Sequence, residues 1–102
     1  MALVTLRPLA IDGVAVTAIT VELPKTTLVI LSAEKGYVMC GALDVDLLNT
    51  RLAERGIVAG RALGVRSVEA LLEAPLADVT NAARALGIQP GMSGRDAVRL
   101  MG

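Results

Sequence analysis

Asp12-Gly13 is the dipeptide that most constrains how this chain can fold. It separates two runs rich in Val, Ile, Leu and Thr, residues 3–11 and 14–23. A two-residue loop of type I′ needs positive φ at both positions, and Asp followed by Gly meets that need cheaply. The two runs are therefore expected to pair as an antiparallel hairpin. Pro24-Lys25 breaks the second run, residues 26–32 read as a third strand, residues 33–36 as a turn, and residues 37–40 as a fourth strand.

Beyond that point the periodicity changes. Leu43, Leu47, Leu48 and Leu52 recur at helical spacing, with Asp46, Asn49, Thr50 and Glu54 directed elsewhere. Gly56 closes this helix after Arg55, a cation suited to the negative end of the helix dipole. Residues 57–65 can form a fifth strand, with Gly60 and Gly64 marking bulges or close backbone approaches. Three short helices are expected to follow. Ser67 caps the first, Pro75 opens the second, and Gly87 ends it. Pro90-Gly91 turns the chain, and Ser93 with Asp96 starts the last helix. The reading is a single α+β domain over residues 1–102, with an antiparallel-dominated sheet packed against short helices.

Strand side chains alternate between faces, and here both faces are apolar. Val14 and Val16 point one way and Ile19 and Val21 the other; Leu28 and Ile30 oppose Val29 and Leu31. The helices of the second half can cover one face. The other needs further helices or a second subunit, so a homo-oligomer built through an apolar sheet face is the expectation. The alternative is a small self-contained sheet wrapped by helices on both sides. Apolar residues make up 54% of the chain and Tyr37 is its sole aromatic, so the core must be aliphatic.

Charge narrows the function classes. Ten basic residues balance ten acidic ones, which gives no net pull toward nucleic acid or an anionic membrane. With one aromatic there is no stacking platform for single strands. The longest strongly apolar run, Leu28-Val29-Ile30-Leu31, is far too short to span a bilayer. The first eight residues lack the charged start and apolar run of a signal peptide. A single cysteine excludes an internal disulfide and fits a reducing cytoplasm. Cytoplasmic localisation is the expectation.

Cys40 is the first candidate site residue. It ends a strand, precedes Gly41, and faces the start of a helix, a setting that can lower a thiol's pKa. Asp44 and Asp46 oppose a thiolate there, and the chain contains no histidine to act as its base. Tyr37 or a carboxylate could take that role. A buried cysteine packing as a small hydrophobe is the competing reading. Arg61 and Arg66 form the second candidate. They lie among Gly60, Gly64 and Ser67, where arginine's fork could hold a small carboxylate or phosphate. Glu69 and Glu73 stand near enough in sequence to pair with them instead. The third candidate, residues 87–96, loosely resembles a helix–hairpin–helix that grips a phosphate backbone through loop amides, with Arg95 and Arg99 adding charge. The neutral balance argues against it, and ordinary turn and capping chemistry explains the same residues. Gly91-Met92-Ser93-Gly94-Arg95 lacks the closing glycine of a hydrolase nucleophile elbow. One cysteine and no histidine exclude a conventional metal cluster, and no motif names a cofactor.

Three segments also carry a resemblance. Gly36-Tyr37-Val38-Met39-Cys40-Gly41-Ala42-Leu43-Asp44-Val45, Glu54-Arg55-Gly56-Ile57-Val58-Ala59-Gly60-Arg61-Ala62 and Pro90-Gly91-Met92-Ser93-Gly94-Arg95-Asp96-Ala97 are similar to signature segments of the YunC-like proteins. These are small bacterial and archaeal proteins classed as a domain of unknown function. The resemblance implies a compact α+β domain and supplies no activity or catalytic residue. The residues themselves point to an oligomeric binding or regulatory module. The alternatives are a small enzyme using Cys40 on an anionic substrate held by Arg61 or Arg66, and more weakly a nucleic-acid accessory protein.

Overall fold

Four strands run as a meander from the first hairpin. The computed structural model describes residues 3–102. Strand β1 (Leu3–Ile11) pairs antiparallel with β2 (Val14–Leu23), β2 with β3 (Thr26–Ser32), and β3 with β4 (Gly36–Met39). The first turn has the backbone the dipeptide implies, with φ of 49° at Asp12 and 83° at Gly13. The second turn places Lys25 at φ 65°, a left-handed conformation that a lysine side chain disfavours.

The chain then leaves the meander through residues 40–44 into α1 (Val45–Thr50). A 3₁₀ turn at Ala53–Arg55 ends on Gly56, left-handed at φ 60°, and leads into β5 (Val58–Arg61). Strand β5 lies parallel to β4, which makes β4–α1–β5 a crossover unit. Helix α2 (Val68–Glu73) follows, capped by the Ser67 hydroxyl, which accepts from the Ala70 amide at 3.1 Å. A two-residue strand, β6 (Asp78–Val79), pairs antiparallel with β5 and completes a six-stranded sheet in sequential order. Helices α3 (Asn81–Ala85) and α4 (Gly94–Arg99) close the chain.

One element departs from the expected pattern. Pro75 does not open a helix; it bridges to Ser93, and the following residues enter β6. The second of the three late helices starts at Asn81, with Thr80 as its cap. The physical reason is Thr80 itself, 1% exposed. Its hydroxyl donates to the Ile57 carbonyl at 2.6 Å and accepts from the Ala59 and Ala83 amides at 3.1 and 3.2 Å. One side chain thus fixes the helix start against β5. The fifth strand is also shorter than residues 57–65, because Ala62 onward turns away toward α2.

The core is aliphatic, as expected. Ile11, Val16, Ala18, Val29, Leu31 and Val38 from one sheet face pack with Leu71, Ile88, Val98 and Met101. Helices α2 and α4 cover this face of the meander. Their contact is close at Gly94, where a Cβ would collide with the Leu71 carbonyl oxygen. Helix α1 packs on β5, where Val45, Leu48 and Ala59 are buried.

Candidate functional site

The parallel pair β4–β5 sends both of its C-terminal ends to the same side of the sheet. Strand β4 runs out into Cys40, Gly41 and Ala42, and β5 into the loop that reaches Gly64, Val65 and Arg66. The hairpin turn between β2 and β3 brings Lys25, Thr26 and Thr27 to the same place. Between these three segments lies a cleft of about 330 Å³. Parallel strands commonly bind ligands beyond their carboxyl ends, because the diverging loops leave a crevice there.

The cleft is electrostatically one-sided. Lys25 and Arg66 line it, together with Thr26 and Thr27, and no acidic residue does. Among the described residues neither cation is ion-paired. The acids that stood near Arg66 in sequence are engaged elsewhere: Glu69 with Arg7 at 3.0 Å and Glu73 with Arg95 at 2.8 Å. Gly41 and Gly64 leave backbone open to a ligand at the rim.

Cys40 borders the same cleft and also belongs to the aliphatic core, being 5% exposed. Its amide donates to the Val29 carbonyl at 3.1 Å, which continues the β3–β4 ladder and directs the side chain to the helix-covered face. The helix start it was expected to face is four residues away. Asp44 occupies that start as the cap, accepting from the Leu47 amide at 3.0 Å. The α1 dipole is therefore spent on Asp44 and not on the thiol.

Arg61 and Tyr37 lie outside the cleft. The Arg61 guanidinium forms a two-pronged pair with Asp78, Nε to Oδ1 at 2.9 Å and Nη2 to Oδ2 at 3.0 Å. Its Nη1 donates to the Leu43 carbonyl at 3.4 Å, so it tethers the loop that carries Gly41 and Ala42. Tyr37 sits half-buried in a separate shallow groove beside Arg55. Strand alternation turns it to the sheet face opposite Cys40.

The loop before α4 uses its own amides. Gly91 donates to the Leu76 carbonyl at 2.8 Å, Met92 to Gln89 at 3.2 Å and Gly94 to Ala74 at 3.1 Å. Arg95 pairs with Glu73, and Arg99 with Asp12 and Asp96. The groups a phosphate backbone would need there are already bonded within the domain. Among the described residues no three Cys, Asp or Glu side chains gather as metal ligands, and no helix is long and apolar enough to cross a membrane.

Lys25 is the site residue that sequence reasoning missed. A signal was present: proline at the first position of a two-residue turn leaves the second to take positive φ, where glycine or asparagine is usual. A lysine there is a local exception, and such exceptions gather at functional sites.

A mixed six-stranded α+β domain with a cationic cleft at its parallel strand ends is thus the class of protein defined here. The chain belongs to the family described as a domain of unknown function (DUF1805), whose pattern matches residues 39–101. It is 58% identical over 99 residues to the uncharacterized protein YunC of Bacillus subtilis (strain 168), covering 97% of this chain and 98% of that one. Its fold is similar to the crystal structure of TA1206, a protein of unknown function from Thermoplasma acidophilum. The TM-score is 0.89 at 26% identity, covering 99% of this chain and 95% of the other.

Proposed function

We propose that this protein is a binding or regulatory module for a small anion bearing phosphate or carboxylate groups. The ligand sits between Lys25 and Arg66 at the ends of β4 and β5. One observation carries the reading: two cations without acidic partners share a cleft that no carboxylate lines. The arginine fork supplies two parallel donors, the lysine a point charge, and the threonine hydroxyls direct the remaining oxygens. The lone thiol fits a reducing compartment, and we place the protein in the cytoplasm on that ground.

The test is calorimetric titration at low salt with inorganic phosphate, pyrophosphate and succinate. Binding by at least one of them, lost in Lys25→Gln and Arg66→Gln, is the expected result. An anion at 100 times its Kd should raise stability by about 2.7 kcal/mol, which a melting curve reads directly. Heats indistinguishable from dilution for all three would refute the reading.

A second reading is supported by Cys40 at the border of the same cleft. In it the Cys40 thiol contacts the bound anion, or as thiolate attacks its acyl carbon, the thiol proton passing to the alkoxide or thiolate that leaves. Alkylation rate against pH decides this: reaction in the folded state that phosphate slows supports it. A thiol that reacts only on global unfolding leaves Cys40 as a core residue.

A further inference from the structure

We propose that the open face of the β1–β4 meander is the interface between two copies of this chain, packed sheet to sheet. The strand registers place Val4, Val21 and Leu28 in one row across the sheet, and Leu6, Ile19, Ile30 and Met39 in the next. Further rows carry Pro8, Thr17, Ser32 and Tyr37, then Ala10 and Ala15. None of these residues is buried, and Leu6 and Val4 are 65% and 59% exposed.

The face contains no charged residue anywhere on these four strands. The strand charges Arg7 and Glu22 point instead to the side where the helices sit. An antiparallel sheet with one wet face alternates apolar-in and polar-out. This sheet is apolar on both faces, which is the pattern of a second face that is covered in the working protein.

A second copy is the occupant that fits. Rows of aliphatic side chains with no charge to match are complementary to themselves about a two-fold axis. Four strands at about 4.8 Å spacing and about 20 Å of strand length give each copy a flat projection of roughly 400 Å². Two such faces, with side-chain relief added, reach the roughly 1,000 Å² that a specific interface needs. The sheet edges offer no competing route. Pro8 interrupts the donors of edge strand β1, and the other edge, β6, is two residues long. A lipid surface would call for a cluster of unpaired lysines and arginines around the patch, whereas its rim mixes Lys35 and Arg55 with Glu34, and Arg61 is paired with Asp78. The assembly stacks the two meanders sheet on sheet about 10 Å apart, with α2 and α4 outermost and α1, which covers Ala59 on the same side as Tyr37, flanking each interface.

Sedimentation velocity over a concentration series, with circular dichroism as the folding control, tests this. The wild-type chain should sediment at twice its 10.5 kDa mass. Leu6→Glu and Val4→Glu change side chains that are already mostly exposed in one copy, so each should stay folded. Each should weaken self-association at least about 100-fold, the effect of a carboxylate buried without a partner. Leu86→Glu, at the exposed C-terminal cap of α3 and outside the meander, should leave the dimer intact. A wild-type monomer at about 100 times a micromolar Kd would overturn the proposal. So would a dimer that survives both face variants, or a monomer that co-sediments with phosphatidylglycerol vesicles through Leu6.

Discussion

Arg61 holds Asp78 by two parallel hydrogen bonds, 2.9 and 3.0 Å long, across the β5–β6 pair. An arginine set among Gly60, Gly64 and Ser67 looked like an anion receptor, and its anion proves to be a carboxylate of the same chain. Arg61→Met should lower stability by about 1–2 kcal/mol, the worth of a charged, partly desolvated pair. Phosphate affinity should change by less than about threefold, since the cleft lies outside its direct contacts. Urea unfolding and calorimetry on one sample separate the two effects.

Thr80 should be the costliest small substitution. Thr80→Val keeps the shape but leaves the Ile57 carbonyl and the Ala59 and Ala83 amides without their partner. Losing a helix cap and stranding buried polar groups together should cost about 2–4 kcal/mol. Equilibrium denaturation gives the value, and Thr80→Ser should recover most of it.

Lys25 should trade stability against binding. Its φ of 65° suits asparagine better than lysine. Lys25→Asn should stabilise the fold by about 0.5–1 kcal/mol through relief of the left-handed backbone. The same change should weaken phosphate binding about tenfold by removing a charge from the cleft. Opposite signs in melting temperature and affinity are the expected signature; two changes of the same sign would contradict it.

Gly94→Ala probes the crossing of α2 and α4. Its new methyl meets the Leu71 carbonyl, and backbone cannot move aside as a side chain can. A loss of about 1–3 kcal/mol is expected from this overpacking. Chemical denaturation measures it.

Glu69 provides a pH handle. Hydrogen bonding to its own amide, and then the Arg7 guanidinium, lower its carboxyl below the ordinary 4.5. A depressed acid stabilises the fold above its unfolded pKa and loses that contribution as pH falls through the folded one. A carbon-detected NMR titration should show the low midpoint, and Arg7→Ala should move it part of the way back.

The meander was legible because its information is local. Asp12-Gly13, Pro24-Lys25 and the alternating runs define strands, turns and both faces without knowledge of distant residues. The Ser67 and Ser93 caps were readable for the same reason. Pro75 misled because proline suits a helix start and a strand flank alike, and Thr80 decides the matter through partners 21 residues away in β5 and 23 residues away just before it. Arg61 and Arg66 look equivalent in sequence. Only the fold shows that Asp78 reaches one, while Arg7 and Arg95 draw the nearby acids away from the other.

The cleft is assembled from three stretches that lie far apart along the chain. The β2–β3 turn holds one cation through local pairing, whereas the position of the other depends on β5 lying alongside β4 across the α1 crossover. A chain with just its local hairpins has half a receptor. Any anion that bridges Lys25 and Arg66 therefore favours the finished domain over its partly assembled forms, and the most remote closure in the sheet becomes the step that ligand concentration controls.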